Sequence, residues 1–131
     1  MARVAIVTGG TRGIGEAISI ALRDKGMVVA ANYAGNDERA REFIARTGIR
    51  AYKWDVADHE ACLAGCALVE AELGPVDVVV NNAGITRDGT LLKMTYQDWK
   101  EVMDTNLGGC FNMAKATFPG MKTRGWGRIV N

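Results

Sequence analysis

Apolar and polar positions along the chain alternate between two periods. The run "VAIVTGG" is continuously apolar and stops at glycine, and "IGEAISIALRDKG" then carries apolar residues at helical spacing and closes with Gly26 after Lys25. An unbroken apolar run bounded by turn residues reads as a strand buried on both faces, whereas helical spacing reads as an amphipathic helix. The alternation recurs, with "MVVAANY" as a strand, "NDERAREFIARTG" as a helix opened by Asn36 or Asp37 and closed by Gly48, and "IRAYKW" as a strand. A helix over "ADHEACLAGCALVEAELG", closed by Gly74, leads to the strand "VDVVVNN". One long helix over "TYQDWKEVMDTNLGGCFNMAKATF", stopped by Pro119, leads to the terminal apolar strand "GRIVN". Five strands alternating with four helices predict an α/β fold built on a doubly wound parallel sheet, because right-handed crossovers place helices on both faces.

Length and composition narrow this picture without redirecting it. The 131 residues are one domain's worth of chain, and residues 1–131 are read as a single domain. Hydrophobic residues at 48%, charged residues at 24% and a net charge of +1 describe an ordinary globular protein. Lys and Arg are spread rather than massed, which argues against a nucleic-acid partner but leaves small phosphorylated ligands open. No run approaches membrane-spanning length and "MARVAIVTGG" has no signal-peptide core, so the expectation is a cytoplasmic protein with no membrane segment. Cys62, Cys66 and Cys110 stand at no metal-ligand spacing, and Cys62 and Cys66 read as small apolar residues on one helix face. His59 is expected to be solvated or to cap a helix.

Open parallel sheets bind ligands beyond the C-terminal ends of their strands. The informative positions are therefore Thr8 to Gly15, Tyr33 to Arg39, Asp55 with Val56, and Asn81 to Gly84. In "TGGTRGIG", Gly9, Gly13 and Gly15 lie between the first strand and the first helix. One such glycine allows the tight turn, another lets the backbone approach a pyrophosphate, and the last lets helix and strand pack closely, while the helix N-terminus offers free N–H groups to the anion.

That glycine spacing, together with "NNAG" at Asn81 to Gly84, Asp55 after the third strand and "TNL" around Asn106, resembles the short-chain dehydrogenase/reductase family along the whole chain. The stretches "NYAGND", "YKWDV", "NNAGITRD" and "RGWGRIVN" look most like its NADPH-dependent acetoacetyl-CoA reductases, with the 3-oxoacyl-carrier-protein reductases next. The resemblance implies a Rossmann-like sheet. It implies that Gly9, Thr11, Arg12, Gly13, Ile14 and Gly15 surround the cofactor phosphates and ribose, and that Asp55 and Val56 border the adenine. It also implies that Asn82, Ala83 and Gly84 line the nicotinamide-side ribose, and that Asn106 is the catalytic asparagine that locally breaks the long helix. The implied substrate is an acyl-CoA thioester.

Cofactor choice has a physical argument. An NAD enzyme places a carboxylate at the end of the second strand, where it would repel a 2′-phosphate. Here "ANYAGNDER" has Asn32 and Tyr33 at that place with no acid before Asp37, and Arg12 and Arg39 are within reach of a phosphate, Arg12 being placed first. NADP(H) is the expected cofactor.

The stretch "YQDWK" imitates a catalytic tyrosine–lysine pair, since residues four apart share a helix face. The family's pair belongs to a helix after the fifth strand, and the resemblance also implies a serine at that strand's end, whereas the only serine here is Ser19. Tyr96 to Lys100 are therefore read as a helix start, with Thr95 as cap and Trp99 packing inward. The active-site half is expected to lie outside these residues. Open apolar helix faces and a strand edge would then favour self-association.

Overall fold

The computed structural model describes residues 2–131. Its elements run β1 (Val4–Val7), α1 (Gly13–Asp24), β2 (Val28–Tyr33), α2 (Asp37–Thr47), β3 (Arg50–Lys53), α3 (His59–Leu73), β4 (Val76–Val80), α4 (Tyr96–Asn106), α5 (Gly108–Arg124) and β5 (Arg128–Val130). All strand pairs are parallel and the sheet order is β3-β2-β1-β4-β5. The chain winds outward from β1 to β3 and then returns to the other side of β1. The order therefore reverses between β1 and β4, and the crevice beyond their C-terminal ends is where such sheets receive ligands.

Each face of the sheet has its own core. Phe43, Ile49, Val7 and Ala31 are buried on the α1–α2 side, and Ile6, Val69, Val79 and Met113 on the α3–α5 side. The alternation of strand and helix predicted this doubly wound arrangement. Local caps behave as their residue types dictate. Asn36 accepts from the Arg39 N–H at 2.9 Å, Asp58 accepts from the Ala61 N–H at 3.0 Å, and Thr95 and Asp98 form a reciprocal capping box at the start of α4.

The long helix expected after β4 is two helices, parted where the resemblance implied a local break. It breaks at Leu107, directly after Asn106, and α5 then passes so close to β3's exit that a Cβ on Gly109 would lie 2.8 Å from Val56 Cγ2. Pro119 does not stop α5, which runs on to Gly125, a left-handed residue at φ 75°. Proline removes one backbone donor, at a cost of about 3 kcal/mol in a helix interior. The turns beyond it are held in place by buried Met121 and by Arg124 Nη2, which donates to the Val76 carbonyl at 2.7 Å.

Candidate functional site

The glycine-rich turn after β1 is tied to the strands on both sides of it. Buried Asn32, at the end of β2, accepts from the Gly9 N–H (3.3 Å) and donates to the Trp54 carbonyl beyond β3 (2.9 Å), while its own carbonyl accepts from the Gly10 N–H (2.9 Å). From β4, Asn82 Nδ2 donates to the carbonyls of Thr8 (3.1 Å) and Gly9 (3.2 Å), and the N–H groups of Asn82 and Ala83 both donate to Thr8 Oγ1 at 3.0 Å. Ser19, fully buried, donates to the Gly10 carbonyl at 3.0 Å. A polar residue within an otherwise apolar strand was the available signal for Asn32, because a buried amide needs partners. In the sequence, Asn32 stood out only as the absence of an acid at the end of β2.

Glycine is required where helix meets turn. Gly9 has φ +61°, and a Cβ on Gly15 would sit 2.0 Å from the Gly9 carbonyl oxygen, a contact with backbone that no rotamer relieves. Arg12, the N-cap of α1, is extended and makes no side-chain cap. The first N–H groups of α1 thus have no capping side chain, and together with the helix dipole they suit an anion.

These residues open onto a cleft of ≈ 840 Å³. Every residue expected to surround a dinucleotide lines it: Gly9, Thr11, Arg12, Gly13, Ile14 and Gly15 along one wall, Asp55 and Val56 at one end, and Asn82, Ala83 and Gly84 at the other. Asn106 is not in the lining. Its Oδ1 accepts from the Ile85 N–H (2.9 Å) and its Nδ2 donates to the Ile85 carbonyl (3.0 Å), so it pins the chain just past "NNAG".

The charges around the cleft are unevenly satisfied. Asp37 accepts from Tyr33 Oη at 3.2 Å and pairs with Lys53 at 3.1 Å. The Lys53 hydrogen bond, then that of Tyr33, holds its carboxyl below the usual range. Burial, and then the bond to Asp37, raise the Tyr33 pKa. Arg39 lines the cleft, and its Nε is buried with no partner among the described residues, whereas Arg12 is exposed. The structure thus brings forward the arginine that the sequence reading placed second.

Other expectations divide. Cys62 and Cys66 are buried as read, and burial raises their thiols to about 11 and about 12. Tyr96 is 73% exposed and Lys100 pairs with Asp104, whose hydrogen bond raises the lysine's pKa. Trp99 does not pack inward; it is 50% exposed and stacks on Tyr96 with ring centroids 5.9 Å apart, because α4 buries no residue. His59 is neither cap nor free, since Asp58 caps α3 and the imidazole Nδ1 meets Asn112 Oδ1 at 3.1 Å.

Comparison with known proteins adds an independent line. The family model described as short chain dehydrogenase matches residues 3–131. An acetoacetyl-CoA reductase of Paracoccus denitrificans is 63% identical over 131 residues, covering 100% of this chain and 54% of the relative. A 3-oxoacyl-[acyl-carrier-protein] reductase of Staphylococcus aureus is 42% identical over 136 residues, covering 100% of this chain and 55% of the relative. The crystal structure of a gluconate 5-dehydrogenase from Burkholderia cenocepacia J2315 in complex with NADP and tartrate superposes with a TM-score of 0.85 at 36% identity, covering 97% of this chain and 51% of that one. The chain therefore spans about half the length of the curated relatives it matches.

Proposed function

The chain belongs to the short chain dehydrogenase family, and we propose that it is the NADP(H)-binding portion of an oxidoreductase that reduces a 3-oxoacyl-CoA of the acetoacetyl-CoA kind to the 3-hydroxyacyl-CoA. The observation that carries the cofactor part is the cleft itself, which has an uncapped helix N-terminus on one wall and the orphaned Arg39 Nε on another. A buried guanidinium nitrogen without a partner is costly unless a ligand satisfies it, and a phosphate is the acceptor that fits its geometry. The residues present fit the cofactor.

In this reading the backbone of Gly9 to Gly15 holds the pyrophosphate, Arg39 with Arg12 holds the 2′-phosphate, and Asp55 with Val56 borders the adenine. Lys53 and Tyr33 keep the Asp37 carboxylate engaged, which removes the nearest source of repulsion for that phosphate. Asn82, Ala83 and Gly84 form the nicotinamide-side wall, and Asn106, the asparagine of the catalytic set, fixes that wall through Ile85. When bound, NADPH supplies the hydride for the carbonyl carbon. Proton donation and carbonyl binding need groups other than buried Ser19 and exposed Tyr96. A CoA thioester is preferred to a carrier-protein thioester because the chain is closer in sequence to the first kind of relative.

The alternative reading is a cofactor-binding module without reductase activity, favoured by Lys100 being paired with Asp104 rather than placed to assist a tyrosine in the cleft. One titration tests both. Nicotinamide fluorescence should show saturable binding that favours NADPH over NADH, and an Arg39→Ala variant should lose about tenfold of that preference, the size of one charge-assisted bond. Acetoacetyl-CoA added at saturation should cause no NADPH oxidation by these residues alone. Equal affinity for the two cofactors would contradict the Arg39 assignment.

A further inference from the structure

Asn112 is 7% exposed, lies on α5, and has no place among the residues that line the cleft. Its amide is nonetheless used at both ends. Nδ2 donates to the Val56 carbonyl at 2.8 Å, a bond buried between elements 56 positions apart in sequence. That donor fixes the amide orientation, so Oδ1 must face His59 Nδ1 at 3.1 Å and the imidazole must donate from that nitrogen. His59 is in turn stacked on Phe111, at 6.2 Å between ring centroids. One turn earlier on α5, Gly109 lets the helix come within contact of the Val56 side chain. Val56 is thus held from behind by α5 at both its carbonyl and its side chain, and it lines the end of the cleft together with Asp55.

We infer that Asn112, oriented by His59, is a positioning residue that sets the adenine-side wall of the cleft through the Val56 carbonyl. The inference rests on the dinucleotide reading above and deepens it. Asn106 and Asn112 lie six residues apart, about 9 Å along a helix axis, with the break at Leu107 between them. One holds Ile85 at one end of the cleft and the other holds Val56 at the opposite end. The α4–α5 junction is then a brace spanning the site, although neither asparagine lines it.

The test uses adenosine 2′,5′-bisphosphate, the adenine-bearing half of NADP(H), titrated by calorimetry into the full chain. Asn112→Ala should weaken it about tenfold, short of the roughly 10²-fold that a misplacement of about an ångström can cost. Met113→Ala, at a buried residue of the same helix that does not itself line the cleft, should lower the thermal midpoint and leave the affinity unchanged. His59→Ala removes the imidazole that holds the amide oxygen, together with its stacking on exposed Phe111, and should weaken binding a fewfold with the fold intact; if Asn112→Ala does not fold, this variant decides the matter. Unchanged affinity in His59→Ala and Asn112→Ala, or an equal loss in Met113→Ala, would overturn the inference while leaving the cofactor reading in place. Failure of the unsubstituted chain to bind the probe would overturn both.

Discussion

Around β1 and β2, the helices α1 and α2 close over Val7, Ala31 and Phe43 so completely that each is 0% exposed, and the buried Asn32 and Ser19 side chains are hydrogen-bonded to the backbone. Around α4, α5 and β5 the picture differs. Helix α4 buries none of its residues, Leu107 (62%) at the α4–α5 junction and Phe111 (62%) and Phe118 (55%) on α5 face outward, and among the described residues β5 is an edge strand of three residues paired only with β4. The first region completes its own core and uses buried amides to shape a turn. The second presents apolar surface and backbone edge that another surface would stabilise, and so it is the side where association is expected.

Substitutions should expose this contrast in order of size. Gly15→Val forces a side chain into the Gly9 carbonyl, with no flexible neighbour to yield; we expect about 3 kcal/mol of destabilisation in urea unfolding and no measurable NADPH binding. Next comes Asn32→Ala, which strands the Gly9 N–H and the Trp54 carbonyl and should cost about 1–3 kcal/mol. The equivalent truncation on the other side, Trp99→Ala, should stay within about 0.5 kcal/mol because the ring is half exposed. If the two cost the same, the proposed difference between the regions is wrong.

Alkaline pH probes the α3 face. Burial raises the Cys62 and Cys66 thiols from 9.0 to about 11 and about 12. The unfolded chain therefore releases these protons from about pH 9 upward while the folded chain keeps them, so stability is complete below that pH and is lost as pH rises towards 12. Unfolding free energies at pH 8 and pH 10 should differ by on the order of 2–3 kcal/mol, about 1.4 from each thiol. At pH 8 a thiol reagent should label Cys110 alone until the chain is unfolded, since the thiolate is the reactive form. The smallest effect on stability is expected from Phe111→Ser with Phe118→Ser, within about 0.5 kcal/mol. The same pair should shift the chain towards monomer in sedimentation, and a wild-type chain that is already monomeric would remove the reason for the prediction.

Legibility followed the same division. The strand–turn–helix around Gly9 to Gly15 and the caps at Asn36 and Gly48 were readable because their signals are local, resting on a positive φ, a short side chain bonding its own backbone, or an unbroken apolar run. The residues that line the cleft were legible from the family resemblance and from the rule that sheets of this kind bind beyond their strand ends. Pro119 and Trp99 were misread for the opposite reason, whereas the helix break beside Asn106 was legible from the resemblance. The persistence of α5 through Pro119 depends on the Arg124 bond to Val76, distant in sequence, and the outward turn of Trp99 follows from α4 burying none of its residues. Asn32 and Asn112 show that a buried amide in an apolar stretch marks a staple, but its partners become known only in three dimensions.

The central claim is that the self-completed region holds the dinucleotide, and amide hydrogen exchange with and without saturating NADPH tests it most directly. The account predicts slowed exchange over residues 9–16, 33–36, 55–57 and 82–85, with little change along the outward face of α5. Slowing confined to α4, α5 and β5, or none at the glycine turn, would contradict it.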